Sequence, residues 1–133
     1  MQQTPLVYAI DDHDSGANNA NGNDESVFEA NQAFRAVVPH FPLPPNHGMW
    51  QSFDVGHIKF LVTDTRSYLF TKNTDEANEA KTETYFGREQ FHWIKQNLEE
   101  AAADSNVHGV VLFISQPWKS EREFPPGRTL HEK

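Results

Sequence analysis

The sequence predicts an α/β fold, because short apolar runs of strand length alternate with segments of helical periodicity. Two of these runs, Leu6–Ile10 and Val110–Ile114, are continuous and apolar enough to predict buried strands. Polar clusters follow both runs directly. Ligands and catalytic groups gather at strand ends in an α/β sheet. The cluster at residues 11–14, Asp-Asp-His-Asp, is therefore the most informative segment of the chain.

The first third of the chain predicts a strand, a loop and a helix. Ser15–Glu25 is rich in Gly, Asn and Asp, which favour turns. Apolar residues then recur at roughly helical spacing over residues 26–38. Asp24 or Ser26 is placed to cap this helix at its N-terminus, and Pro39 is placed to end it.

The middle of the chain predicts a proline-rich connector and a hairpin. His40–His47 contains three prolines, which cannot donate to a sheet ladder. Met49–Val55 and His57–Thr63 then predict two strands joined near Gly56. Apolar residues on both faces of the second strand predict a sheet that is covered on both sides.

The last third predicts a loop, a helix, a strand and a tail. Lys72–Tyr85 is polar, which is typical of a surface loop. From Gly87 to about residue 103 the pattern is helical, with Phe91, Ile94 and Leu98 on the expected core face. Val110–Ile114 is expected to be a central strand, and residues 119–133 to be a loop or tail.

Composition limits the classes of function. The chain has 133 residues, enough for one domain or a piece of one, and a formal charge of −8. This charge argues against a nucleic-acid surface. There is no cysteine, which excludes thiol catalysis and Cys-ligated zinc. No apolar run reaches the ~18 residues of a membrane span, and residues 1–5 lack the features of a signal peptide.

The acidic cluster at 11–14 has two interpretations. Adjacent carboxylates and an imidazole suit a hard metal ion or a phosphate site, and they also suit a solvated acidic turn. An EF-hand is excluded, because Ala17 occupies the sixth loop position, where glycine is required. The neighbouring asparagines at 18, 19, 21 and 23 could supply oxygens to a cation, although an Asn-rich turn needs no metal.

A second polar cluster, Asp64-Thr65-Arg66, follows the second hairpin strand. The planar guanidinium of Arg66 could bind a phosphate or a carboxylate. Pairing between Asp64 and Arg66, or capping of a loop, explains the same residues equally well. Ser115 also follows a predicted strand, but it lacks the Gly-x-Ser-x-Gly setting of a nucleophile elbow.

These segments, in this order, resemble the alkaline phosphatase D (PhoD-like) family of the metallophosphoesterase superfamily. The matching stretches are DDHDSGANN at 11–19, ANQAFRAVVPHFPLP at 30–44, HGMWQSFDVGHIKFLVTDTRSYLF at 47–70, FGREQFHWIKQNL at 86–98 and GVVLFISQPW at 109–118. The resemblance implies a four-layer α/β/β/α sandwich and phosphomonoester or phosphodiester hydrolysis of small phosphate esters. Calcium and iron, or manganese or magnesium, are the implied metal ions.

The resemblance also implies roles for five residues. Asp12 takes a metal-ligand place, with Asp11 and Asn18 as further metal-shell candidates. His13 takes the place of the catalytic histidine. Arg66 matches the arginine of the Asp-Thr-Arg motif, where a structural role competes with substrate binding. The family is commonly exported to the periplasm or the extracellular space.

The chain departs from the superfamily pattern at both ends. The metal motifs expected before residue 11, and the Gly-Asp-x-His segment expected after residue 118, have no counterpart. We therefore expect residues 1–133 to be a single partial domain, monomeric and by itself inactive, from the middle of a metal-dependent phosphatase. The alternative is a non-catalytic metal-binding or interaction domain that retains part of the fold.

Overall fold

The computed structural model describes residues 6–69 and 85–116 and confirms a mixed α/β fold. Its helices and strands in chain order are α1 (Asp12–Ser15), α2 (Glu25–Val37), β1 (Gln51–Val55), β2 (Ile58–Val62), α3 (Gly87–Ala103) and β3 (Gly109–Phe113). The loop predicted at Lys72–Tyr85 lies outside the described residues except for Tyr85, and the tail predicted at 119–133 lies wholly outside them.

The predicted hairpin is confirmed. β1 and β2 pair antiparallel, with Val55 opposite Ile58. Only Gly56 and His57 connect them, and Gly56 has a φ of 59°, a left-handed conformation that glycine adopts without steric cost. β3 pairs parallel with β2, which gives the strand order β1-β2-β3. α3 lies between β2 and β3 in the chain and packs on β3.

Helix α2 confirms the prediction for residues 26–38 to within one residue at each end. Asp24 occupies the N-cap position, but its side chain accepts a hydrogen bond from the Asn21 amide instead of capping the helix. Phe34 of α2 packs with Ile10 and Met49 in a small core. This core fixes the segment before α1 against α2.

The prediction of a strand at Leu6–Ile10 is wrong. Among the described residues the segment has no ladder partner, and Leu6 and Val7 are exposed. β1 contributes a side chain instead of a ladder: the side-chain amide of Gln51 donates to the carbonyl of Tyr8. The apolar run is therefore held by Ile10 and Tyr8, which pack in the small core, because a strand requires main-chain partners that periodicity cannot guarantee.

The prediction of a central, buried third strand is also wrong for the described residues. β3 pairs there only with β2, and Val111, Leu112 and Phe113 are 37%, 36% and 46% exposed. An apolar run indicates which surroundings a strand favours, whereas the fold decides which neighbours it receives.

Helix α3 has the predicted bounds but a different buried face. The buried residues are Gln90, Ile94, Asn97 and Ala101, and the expected core residues Phe91 and Leu98 are exposed. The predicted face and the observed buried face share Ile94. Elsewhere each buried residue lies one position before the predicted one, which corresponds to a rotation of about 100° around the helix. Gln90 sets this rotation through its buried hydrogen bonds, described below.

Candidate functional site

The cluster at 11–14 forms a single capped helical turn. Asp11 is the N-cap of α1: its carboxylate accepts from the Asp12 amide at 2.9 Å, and its own amide donates to Asp14 Oδ2 at 2.8 Å. The hydroxyl of Tyr8 donates to the other oxygen of Asp14. This hydrogen bond, together with burial and the charge of Asp14, raises the pKa of Tyr8. The predicted loop thus begins with an ordered turn.

Asp12 is the buried carboxylate of this turn. Its Oδ1 accepts from the His13 amide at 3.0 Å, and its Oδ2 accepts from the Asn19 amide at 2.7 Å. Burial acts to raise the pKa of Asp12, but the Asn19 hydrogen bond, the Arg66 charge and the contacts with His13 outweigh it and lower the pKa. Asp12 is therefore held as a carboxylate.

Arg66 connects the turn to the sheet. Its Nε donates to Asp11 Oδ1 at 2.6 Å, and its Nη2 lies 3.6 Å from Asp12 Oδ1. The side-chain amide of Gln116 is oriented so that both of its polar atoms have partners. In this orientation the Gln116 side-chain oxygen accepts from Arg66 Nη1 at 2.7 Å and from Arg66 Nη2 at 2.6 Å. Arg66 is only 4% exposed. The guanidinium is thus occupied by protein acceptors from two separate segments.

Asp64 does not form the alternative ion pair with Arg66. It is fully buried, and its carboxylate accepts main-chain hydrogen bonds from Met49, Arg66 and Ser67 at 2.9, 3.0 and 2.9 Å. It therefore caps the turn after β2, as the loop-capping alternative proposed, while the Arg66 side chain turns toward Asp11.

Gln90 is a buried residue whose role the sequence analysis did not assign. Its side-chain oxygen accepts from the Asp64 amide at 2.8 Å, and its nitrogen donates to the Asp64 carbonyl at 2.7 Å. The side chain thus takes the place of a neighbouring strand at the end of β2. A polar residue spaced four positions from the apolar residues Phe86 and Ile94 was the available signal.

His13 and Asn18 both point into solvent, since both residues are exposed. The asparagine that contacts Asp12 is instead Asn19, which does so through its main-chain amide and has a φ of 65°. Its buried side-chain Oδ1 has no hydrogen-bond partner among the described residues. Position 18 was the sequence-based candidate, and the structure places its neighbour beside the buried carboxylate.

The implied metal ions are only partly matched by these residues. In residues 6–69 and 85–116, no three or more His, Asp or Glu side chains converge as a metal-binding group. A hard cation such as calcium takes about six to eight oxygen ligands. Asp12 and the unpaired Asn19 oxygen offer two donors of suitable chemistry. The described side chains therefore do not complete a metal site.

The other strand-end residues tie the sheet edge together. Ser115, after β3, shares a 2.6 Å hydrogen bond between its Oγ and Thr65 Oγ1. The polar residues after β2 and β3 thus contact each other, as strand ends in one sheet should. In the part of the chain that the structure describes, no helix has the length and apolar character needed to cross a membrane.

Comparisons with known proteins identify one family for this chain. A family model described as PhoD-like phosphatase matches residues 1–128. The chain is 27% identical to alkaline phosphatase D of Bacillus subtilis (strain 168), over 84% of this chain and 23% of that protein. It is 25% identical to an uncharacterized protein of Mycobacterium tuberculosis (strain ATCC 25618 / H37Rv), over 84% of this chain and 20% of that protein.

Each match covers most of this chain but only a small part of the relative. The chain spans about a fifth to a quarter of the length of these curated relatives. No solved structure matches it.

Proposed function

The chain belongs to the PhoD-like phosphatase family, and on that premise we propose that it supplies part of the active site of a metal-dependent phosphoric-ester hydrolase. The observation that supports this proposal most directly is a contrast within α1. His13 is exposed, whereas the adjoining Asp12 is buried and has a lowered pKa that keeps it ionised. A rigid turn that presents an imidazole to solvent suits proton transfer to a bound ester.

In this proposal His13 is the catalytic residue. It donates a proton to the leaving oxygen of a small phosphate ester, of the alkaline phosphatase or phosphodiesterase type. Asp12 contributes negative charge beside it and stays ionised because the Asn19 amide and Arg66 oppose its protonation. The capping hydrogen bonds of α1 hold the main chain that carries the two side chains.

Arg66 has a positioning role in this proposal. A contact between its guanidinium and a substrate phosphate would compete with Asp11, Asp12 and Gln116 for the same donors. Its burial and three protein partners favour the role of holding Asp11 and Asp12 in place. Substrate binding by Arg66 remains the weaker reading of the Asp-Thr-Arg motif.

The metal ions belong to the same proposal. Divalent or trivalent ions, either calcium and iron, or manganese or magnesium, would take oxygen donors from Asp12, with Asp11 and Asn18 as further candidates. When bound, they would neutralise charge on the phosphoryl group. Since the described side chains do not complete such a site, the remaining ligands would come from elsewhere in the family's domain. The three-stranded unit would then be one part of a four-layer α/β/β/α sandwich.

The deciding experiment begins with the coding sequence on both sides of codons 1 and 133. If the frame continues, the parental protein is expressed and assayed by phosphate release from glycerol 2-phosphate, an alkyl ester whose leaving oxygen must be protonated. His13→Ala should lower kcat about 10²- to 10⁴-fold. His92→Ala, which removes an exposed histidine of α3, is the matched control and should leave kcat unchanged.

Two results would contradict the proposal. Full activity in His13→Ala would remove the catalytic assignment. Start and stop codons that bound residues 1–133 would remove the phosphatase assignment for this chain. The isolated chain should show no turnover, and metal-dependent turnover that His13→Ala abolishes would overturn that expectation. Export and a monomeric state remain predictions of the resemblance.

A second candidate function is cation binding without hydrolysis. The observation that favours it is the buried Asn19 Oδ1, which has no hydrogen-bond partner among the described residues, while the main-chain amide of the same residue donates to Asp12 Oδ2. Calcium titrated into the isolated chain should then raise its unfolding temperature. Asn19→Ala should abolish this shift, whereas Asn18→Ala should preserve it if position 18 stays solvent-exposed as described. No shift with calcium would exclude this candidate.

A further inference from the structure

The proline-rich connector forms one side of a pocket beside α3. Residues 42–45 (Pro-Leu-Pro-Pro) line a cavity of about 320 Å³ together with Trp50, Glu89 and Trp93. Trp50 lies directly before β1, and the other two residues are one turn apart in α3. Among the described residues that line the cavity, Glu89 alone is ionisable. An apolar cavity of this size with one charged group has the character of a small-molecule site.

The two tryptophans of the pocket belong to a cluster of three aromatic rings. Trp50 is 2% exposed, and its ring centroid lies 6.4 Å from that of Trp93 and 5.6 Å from that of Tyr68. Gly48 makes room for the Trp50 ring, because a Cβ at position 48 would overlap Trp50 Cζ3. The rings are therefore positioned before a ligand arrives, which lowers the entropic cost of binding.

The electrostatic surroundings of these rings favour a cation. Glu89 is exposed, and its Oε2 accepts from Asn46 Nδ2 at 2.6 Å, which holds the carboxylate at the pocket. No cationic side chain in the described part of the chain forms an ion pair with it. Burial, and then the charges of Glu89 and Asp64, raise the pKa of Tyr68, and the charge of Arg35 opposes this shift without reversing it.

The lining also distinguishes between kinds of cation. A primary ammonium carries three N–H donors that need acceptors. One oxygen of Glu89 already accepts from Asn46, and the Pro44 carbonyl accepts from Arg35 Nη2 at 2.8 Å. A quaternary ammonium has no N–H group, so it needs no acceptors. Its methyl groups suit apolar walls, while its charge is attracted by aromatic ring faces and by a carboxylate.

We propose that this cavity, the Trp50–Trp93 pocket, binds a small organic cation with a quaternary ammonium group. The two indole rings contact the methyl groups of the cation, and Glu89 supplies the balancing negative charge. The pocket lies at the same end of the sheet as the candidate site, since the amide of Met49, the residue before Trp50, donates to Asp64 Oδ2. The inference does not rest on the proposed hydrolase function.

The test compares two probes of the same shape that differ in charge. Choline carries a quaternary nitrogen where 3,3-dimethyl-1-butanol carries a carbon atom. Each probe is titrated into the 133-residue chain, and binding is followed by proton NMR of its methyl signal. Choline should bind at least ~10-fold more tightly than the alcohol, because ring faces and a carboxylate attract only the cation. Ethanolamine, a primary ammonium, should also bind more weakly than choline.

Two variants assign the binding to the pocket. Glu89→Gln keeps the side-chain shape and an acceptor for Asn46, and loss of the charge should weaken choline binding ~5-fold. Glu99→Gln, on an exposed carboxylate of α3 outside the pocket, is its matched control and should leave the affinity unchanged. Trp93→Leu should abolish measurable binding. Phe91→Leu, on an exposed ring of the same helix, should preserve it.

Several results would overturn the proposal. Equal affinity for choline and the alcohol would identify an apolar cavity without cation recognition. Equal losses in Glu89→Gln and Glu99→Gln would trace the binding to the overall charge of −8. Absence of choline binding to the folded chain would show that the pocket takes no ammonium ligand. If Trp93→Leu fails to fold by circular dichroism, the probe pair and Glu89→Gln still decide the question.

Discussion

The Asp64–Ser67 turn and the Asp11–Asn19 segment each begin with an aspartate after an apolar run, but their polar groups are satisfied to different degrees. The carboxylate of Asp64 is fully buried and saturated with three main-chain donors. In the other segment His13 and Asn18 are exposed, and Asn19 Oδ1 has no partner among residues 6–69 and 85–116.

This difference teaches how scaffold and site can be separated. A group whose hydrogen bonds are all satisfied within the protein has little capacity left for a ligand. Asp64 and Gln90 meet that description, whereas His13 does not. Arg66 joins the two regions, because its main chain belongs to the saturated turn and its side chain holds Asp11.

The largest expected effect is that of removing this connection. Arg66→Ala leaves Asp11, Asp12 and Gln116 without their shared partner. Because the Asp11 side chain is 38% exposed and solvent screens its charge, the expected loss is about 3 kcal/mol, at the low end for a buried ion pair. Unfolding in urea should show this loss. Arg88→Ala, on an exposed arginine, should stay within ~0.5 kcal/mol of the unchanged chain. A similarly small loss for Arg66→Ala would mean that the two regions are independent.

The next largest effect is expected from removing the Gln90 hydrogen bonds to the main chain of Asp64. Gln90→Leu keeps the side-chain volume but leaves the main-chain N–H and C=O of Asp64 unpaired, which should cost about 2 kcal/mol. Gln96→Leu removes an exposed glutamine from the same helix and should cost little. Equal unfolding midpoints in urea for the two variants would refute the structural role of Gln90.

Tyr8 provides a smaller effect with a distinctive pH dependence. Its hydrogen bond to Asp14, with burial and the charge of Asp14, raises its pKa in the folded state. The neutral phenol is therefore favoured by folding, and its contribution is complete below about pH 10. It is lost as the pH rises through the raised pKa. Tyr8→Phe should cost ~1 kcal/mol at pH 7.

The stability difference between the unchanged chain and Tyr8→Phe should shrink as the pH increases above 10, measured by chemical unfolding at each pH. Tyr68, whose pKa is raised mainly by burial, is present in both chains and cancels from this difference. A difference that stays constant with pH would show that the Tyr8–Asp14 hydrogen bond does not stabilise the folded state.

The smallest expected effect on stability is at the proposed catalytic residue. His13→Ala removes an exposed side chain, so the free energy of unfolding should change by less than ~0.5 kcal/mol. The same variant should lose activity in the parental protein. A large loss of stability would place His13 in the scaffold and would weaken the contrast between the two regions.

Local pattern was enough to predict most of the helices and the hairpin. The spacing of apolar residues fixed α2 and α3 to within about one residue, and Gly56 marked the tight turn. These features depend on backbone preferences within one segment. The strand predicted at Leu6–Ile10 failed because strand formation depends on a distant partner.

The sequence by itself determined the candidate residues, the cluster at 11–14, and the family to which the chain belongs. Only the tertiary structure decided the environment of each candidate. It buried Asp12 and Arg66, exposed His13, and brought Asn19 rather than Asn18 to the Asp12 carboxylate. It also rotated α3 so that Gln90 reached Asp64 while Phe91 and Leu98 faced outward. Burial and hydrogen-bond saturation arise from contacts between segments far apart in the chain, and no local pattern encodes them.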